Sequence, residues 1–176
     1  MNAAHAITLA IAQQKPAQMV VCGVGGAYPS SGLRVGDVAC AETEVYGDLG
    51  AQSPSGFLDM KMLGFPVVAE PVPLFNELPM QVFPTARRER FVTVSTCTGT
   101  RAAALEIETR TRGAIESMEG AAAAHVAHLH AIPIGEIRAI SNIVTDRDTS
   151  SWRLKEAAQS AQEALLAWML ATGALP

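Results

Sequence analysis

The stretch AIESMEGAAAAHVAHLHAIPIGEIRAI, residues 114–140, reads as strand, helix and strand in succession, and it decides the fold. Ala114–Ser117 is a short apolar strand, Gly120–His130 an alanine-rich helix, and Ile134–Ile140 a second apolar strand. The run Ala121–Ala124 fits a tightly packed helix better than a low-complexity tract. Strands that alternate with helices predict an α/β fold. The expected architecture is a three-layer, mostly parallel mixed sheet with helices on both faces, whose ligand sites lie at the carboxyl ends of the strands.

Upstream, the pattern predicts a strand at Phe91–Ser95, a helix over Arg101–Thr109, and a strand within Asp37–Val45. Pro66–Pro84 predicts an irregular excursion with edge pieces at most. Met19–Cys22 is a continuous apolar run of the kind that forms a buried strand. Asn2–Gln14 has helical apolar spacing, with Asn2 placed to cap it and Pro16 just beyond its end. Downstream, Ser141–Ser150 predicts a polar loop, and a last helix should run from about Ser151 to Ala171, capped by Ser150 or Ser151. An α/β domain that opens on a helix lacks the strand expected before it. The expectation is therefore one domain over 1–176 without its first strands, its N-terminal part missing.

With 49% hydrophobic and 17% charged residues, the chain has the composition of a compact fold and not of a disordered tail. Thirteen Lys and Arg against seventeen Asp and Glu argue against a nucleic-acid partner. The dense basic stretch Ala86–Arg90 reads as a solvated approach to a strand. Cys22, Cys40 and Cys97 have no paired spacing, so neither a disulfide framework nor a CxxC site is indicated. A reducing, cytoplasmic setting fits. No run is long and apolar enough for a membrane helix, and no membrane partner is expected.

Gly23-Val24-Gly25-Gly26 follows a strand, but Tyr28 stands where a dinucleotide fingerprint needs glycine and Pro29 follows in place of a helix. The segment is either a tight turn or a backbone floor for a flat ligand. His125, His128 and His130 have no accompanying ligand pattern, so packing is expected and neither metal nor cofactor is. The chain contains no HExxH, GxSxG or GxxxxGK[ST] motif. Glu119 follows the strand in Ser117-Met118-Glu119-Gly120. It is either a first-turn residue or a carboxylate able to accept two hydroxyls, as a vicinal diol requires. Asn142, after Arg138-Ala139-Ile140-Ser141, is either a turn former or a residue of the same crevice.

Residues 117–157, SMEGAAAAHVAHLHAIPIGEIRAISNIVTDRDTSSWRLKEA, closely resemble the corresponding stretch of futalosine hydrolases, within the wider purine nucleoside phosphorylase and methylthioadenosine nucleosidase superfamily. Residues 23–50, GVGGAYPSSGLRVGDVACAETEVYGDLG, resemble it upstream and in the same order. The resemblance implies that Glu119 holds the ribose hydroxyls and Met118 packs under the sugar. Gly25 and Gly26 would line the floor, Thr96 and Cys97 would border the purine with Ser141 close by, and Trp152 would stand near the 5′ substituent. It also implies a homodimer or higher homo-oligomer, with the mate completing the 5′ end.

Adenine-specific nucleosidases of that superfamily carry Asp where this chain has Asn142. An amide donates towards N7 and O6 of a 6-oxopurine, whose lone pairs an ionised carboxylate would repel. The implied reaction is hydrolysis of the N-glycosidic bond of futalosine in menaquinone biosynthesis, releasing hypoxanthine, with Asn142 and Glu119 as catalytic groups. The resemblance places the water-activating Glu upstream of the first helix. The alternatives are a purine nucleoside phosphorylase, a methylthioadenosine or adenosylhomocysteine-type nucleosidase, and an inactive nucleoside-binding fragment.

Overall fold

A computed structural model describes residues 1–81, 83 and 87–173. In chain order the elements are α1 (Asn2–Gln14), β1 (Met19–Ala27), β2 (Val38–Tyr46), β3 (Gly50–Ser53), β4 (Gly56–Asp59), α2 (Met60–Leu63) and β5 (Glu77–Pro79). Then come β6 (Arg87–Thr93), α3 (Arg101–Thr111), β7 (Ile115–Ser117), α4 (Gly120–Leu129), β8 (Ile134–Ile143), a 3-10 turn at Thr149–Ser151, and α5 (Leu154–Thr172). The β7–α4–β8 succession lies where the sequence placed it.

The sheet order is β5-β2-β6-β7-β1-β8, and β8 also pairs with β2. The ladders β1–β8, β2–β6 and β6–β7 are parallel, while β1–β7, β2–β5 and β2–β8 are antiparallel. The mixed, largely parallel sheet expected from the sequence is thus present, curled until its second strand meets its last. β8 shows how the helices take opposite faces. Ile137 and Ala139 pack with residues of α5, Trp168 and Ala157 among them, whereas Ile134 and Ile140 join the cluster of α4 alanines. Alternate residues of a strand face opposite ways, so Glu136 and Arg138 point to the α4 side.

Several boundaries differ from the sequence reading. Asn2 is the first helical residue and makes no cap; Met1 holds the cap position without a side-chain bond. The glycines 23–26 are not a turn, because β1 continues through them alongside β8 as far as Ala27↔Ile143. The same pairing extends β8 beyond Ile140, so Ser141 and Asn142 sit in the strand and not in a loop. Arg87–Arg90 form the start of β6 itself, since β2 offers a parallel ladder from Ala39↔Arg87 onward. Arg90 pairs with Glu77 at 2.7 Å and Arg87 with Glu89. Ala86 of that basic stretch, and Val82 and Pro84 of the proline-rich one, lie outside the described residues.

The last helix begins at Leu154, three residues later than expected. Asp148 accepts both the backbone N–H and the hydroxyl of Ser150, at 3.0 and 2.6 Å, and so closes a 3-10 turn first. The hydroxyl of Thr100, by contrast, caps α3 by accepting from Ala103 N at 3.2 Å. Thr100→Ala is expected to cost about 1 kcal/mol. Urea denaturation measures it, and an unshifted midpoint would show that the cap contributes nothing.

Candidate functional site

The carboxyl ends of β1, β7 and β8 converge on a cavity of about 210 Å³. Its lining includes Gly25, Gly26, Cys97, Met118, Glu119, Ser141, Asn142 and Trp152. Of the residues singled out from the sequence, Thr96 is the one outside this lining; Thr98, from the same loop, takes part. A larger cavity of about 500 Å³ between β2, α2 and α3 contains none of them. Its arginines are already engaged, Arg90 with Glu77 and Arg110 over the Phe57 ring at 4.0 Å. We place the site in the smaller cavity because the polar groups converge there.

The floor depends on close backbone approach. A Cβ at Gly26 would overlap Val144 and come within 3.1 Å of Asn142 Nδ2. The β1–β8 register slips between Gly25 and Gly26, passing from Ile140 straight to Asn142. Ser141 is left over in that bulge, a device that re-aims side chains. Its hydroxyl lies 3.2 Å from Gly25 O and donates to Asn142 Oδ1 at 2.7 Å. With its carbonyl oxygen bonded in this way, Asn142 presents its NH₂, which reaches Ile143 O at 3.3 Å.

Glu119 stands at the N-cap position of α4 yet does not cap it. Thr93 does so from β6, accepting from Ala121 N at 2.7 Å. The Glu119 carboxylate turns instead to Arg138, whose Nη2 donates to Oε2 at 3.0 Å, and its side chain stays 50% exposed. Arg138 is itself buried, with Nε donating to Glu136 Oε1 at 2.6 Å and Nη1 to Val24 O at 2.9 Å. Burial opposes its charge, but Glu136, Glu119 and Glu44 together outweigh that and raise its pKa.

The opposite wall is held by Glu116, a residue of β7. It accepts from Thr98 N at 2.9 Å, from the Thr98 hydroxyl at 2.5 Å, and from Tyr28 OH at 2.8 Å. Burial first, and then Glu116, push the Tyr28 hydroxyl above its ordinary range, so it remains a donor. At the mouth, Arg147 donates to Cys97 Sγ at 3.4 Å and lies 5.0 Å over the Trp152 ring. His125 and His128 face backbone carbonyls, Val67 O at 2.8 Å and Pro79 O at 2.9 Å, as packing residues do.

Sequence reasoning missed Glu116, Glu136, Arg138 and Arg147. The signal for three of them was present, since charged residues inside short apolar strands cannot stay buried unpaired. Their alternation in Ile134-Gly135-Glu136-Ile137-Arg138 marks one face.

Curated relatives at 31–37% identity bear the name futalosine hydrolase. The one from Streptomyces coelicolor is 37% identical over 155 residues, an alignment covering 86% of this chain and 65% of that protein. The chain therefore spans slightly less than two thirds of that relative. Among solved structures, futalosine hydrolase of Helicobacter pylori has a TM-score of 0.76 at 16% identity, covering 95% of this chain and 73% of the other. The S-adenosylhomocysteine nucleosidase of Streptococcus pyogenes, in complex with 5-methylthiotubericidin, has 0.78 at 20%, covering 99% and 75%. At such identities these two likenesses show the fold alone. A family model described as the phosphorylase superfamily matches residues 1–171, nearly the full length, and the chain belongs to that superfamily.

Proposed function

We propose that this chain carries the nucleoside site of an enzyme that hydrolyses the N-glycosidic bond of futalosine, yielding hypoxanthine and dehypoxanthine futalosine. The observation that carries the reading is the amide of Asn142. Ser141 donates to its oxygen, which leaves the NH₂ as the donor that Asn142 brings to a cavity it lines together with Glu119. A 6-oxopurine offers acceptors at N7 and O6, and a donor suits both. The names of the curated relatives support the same substrate.

In this reading the C1′–N9 bond breaks with its electron pair leaving on the purine, and Asn142 stabilises that charge. Glu119, oriented by Arg138, accepts the two ribose hydroxyls and faces the cationic sugar. Met118 lies beneath the ring, and Gly25 and Gly26 form the floor. Cys97 and Ser141 border the purine, with Thr98 where Thr96 was expected, and Trp152 borders the 5′ substituent. Water attack at C1′ completes the reaction, a step we assign to no residue of this chain. The described residues are read as one nucleoside phosphorylase-like domain of a cytoplasmic homo-oligomer acting in menaquinone biosynthesis.

The test is incubation with futalosine in phosphate-free buffer, with free hypoxanthine followed by chromatography and futalosine binding by calorimetry. Inosine and methylthioadenosine serve as competitors. Hypoxanthine release without phosphate supports the reading. Strict phosphate dependence, preference for methylthioadenosine, or neither release nor binding of futalosine overturns it.

A further inference from the structure

Behind the site lies a polar cluster for which the chemistry above has no use. Glu44 on β2 and Glu136 on β8 are both fully buried at 0% exposure. Each has one oxygen engaged: Thr93 Oγ1 lies 2.8 Å from Glu44 Oε2, and Arg138 Nε donates to Glu136 Oε1 at 2.6 Å. The other two, Glu44 Oε1 and Glu136 Oε2, have no donor among the described residues. Both converge on the same small space, since a Cβ at Gly120 would overlap each of them. Two ionised carboxylates repel each other in such a space. A single proton between them turns two orphan acceptors into a donor–acceptor pair.

We propose that Glu44 and Glu136 share one proton and act as a positioning pair, fixing Arg138 and, through it, the diol-binding carboxylate of Glu119. The inference rests on the reading of Glu119 given above. The proton lies on Glu44, because Glu136 is the member that faces the guanidinium. Burial, then the neighbouring Glu136, hold Glu44 well above the usual carboxylate range. One neutral acid, one carboxylate and Arg138 sum to zero, so within this cluster Glu119 keeps its negative charge. The other titratable groups nearby are Tyr46 on β2, whose hydroxyl burial and Glu44 push up to about 12, and Cys22 on β1. The first turn of α4, Gly120–Ala123, brings no ionisable side chain.

Without Glu136, the guanidinium has Glu119 as its remaining carboxylate within hydrogen-bond reach and draws it away from the ligand. Glu44→Gln preserves both bonds of a neutral acid, donating to Glu136 and accepting from Thr93. The pair therefore predicts opposite outcomes for two isosteric changes.

The experiment measures binding of inosine and of 2′,3′-dideoxyinosine by calorimetry to the wild-type chain, Glu44→Gln and Glu136→Gln. Glu44→Gln is expected to keep the wild-type preference for the ribose. Glu136→Gln is expected to lose about 10- to 100-fold of that preference, the worth of charge-assisted hydrogen bonds, while binding the dideoxy compound as before. An undiminished preference in Glu136→Gln overturns the positioning role alone. A wild type that does not prefer the ribose overturns the reading of Glu119 and this proposal with it. Infrared spectroscopy of the wild type near pH 7 covers the case in which Glu136→Gln fails to fold. A buried protonated carboxyl band that disappears in Glu44→Gln is expected, and its absence from the wild type overturns the shared proton.

Discussion

Arg138→Met is expected to lower folding stability by about 3–5 kcal/mol, the usual cost of stranding one partner of a buried ion pair. The side chain is only 6% exposed and its guanidinium reaches Glu136, Glu119 and Val24 O. Methionine fills similar volume but supplies no charge. Glu119 can turn to water, being half exposed, whereas Glu136 cannot. Arg138 also holds down the pKa of Glu44, which burial and Glu136 raise, so its loss lets that pKa climb further. The deficit should therefore grow with pH, because a folded state that retains protons the unfolded chain releases loses stability as pH rises. Urea denaturation at pH 5.5 and pH 8 measures both effects. A loss below about 1 kcal/mol at either pH would show that the cluster is not held by its cation.

Asn142→Asp is the second large effect, and under the proposed reading it falls on catalysis. Hypoxanthine release is expected to drop about 10²- to 10³-fold, the range seen when a donor to a developing negative charge is removed. Ser141 would still donate to the new side chain, so the wall keeps its shape. The carboxylate, however, turns lone pairs towards N7 and O6 where the amide turned hydrogens. Folding stability should change little, since the residue is only partly buried and sits beside solvent. Activity should partly return as pH falls and the new acid is protonated. A variant within tenfold of wild type at pH 7 would remove Asn142 from the reaction.

The frame of the fold was legible where local chemistry decides it. Pro16 lies just beyond α1, and the alanine run sets α4 between two apolar strands. The errors arose where a distant partner overrode a local rule. β1 runs past Cys22 through the glycines because β8 lies alongside, and β6 starts at Arg87, ahead of Phe91, because β2 supplies the ladder. Ser150 and Ser151 fit the capping pattern for α5, but Asp148 captured Ser150 first. The hairpin of β3 and β4, with Gly56 at φ 118°, is too short to show a period.

For the site, Gly25, Gly26, Glu119 and Asn142 were readable at strand ends and the resemblance added Cys97, Met118, Ser141 and Trp152; these eight line one cavity. What holds them was not. Glu44 lies in a strand remote in sequence from Glu136, and no spacing rule joins the two. Only the curled sheet brings them beneath Gly120.

That curl has a further consequence, for self-association. Because β2 pairs with both β6 and β8, the strands β2, β6, β7, β1 and β8 form a ring. However, β1 meets β7 at Gly26 and Ala27 alone, so among the described residues the stretch 19–25 has a strand neighbour, β8, on one side only. Among the described residues, the terminal strand is β5, three residues long and ending in Pro79, which has no N–H to donate. A second molecule adding a strand would gain little at β5, whereas the one-sided stretch of β1 presents residues 19–25. Aggregation on heating should therefore start along that side of β1 rather than at β5.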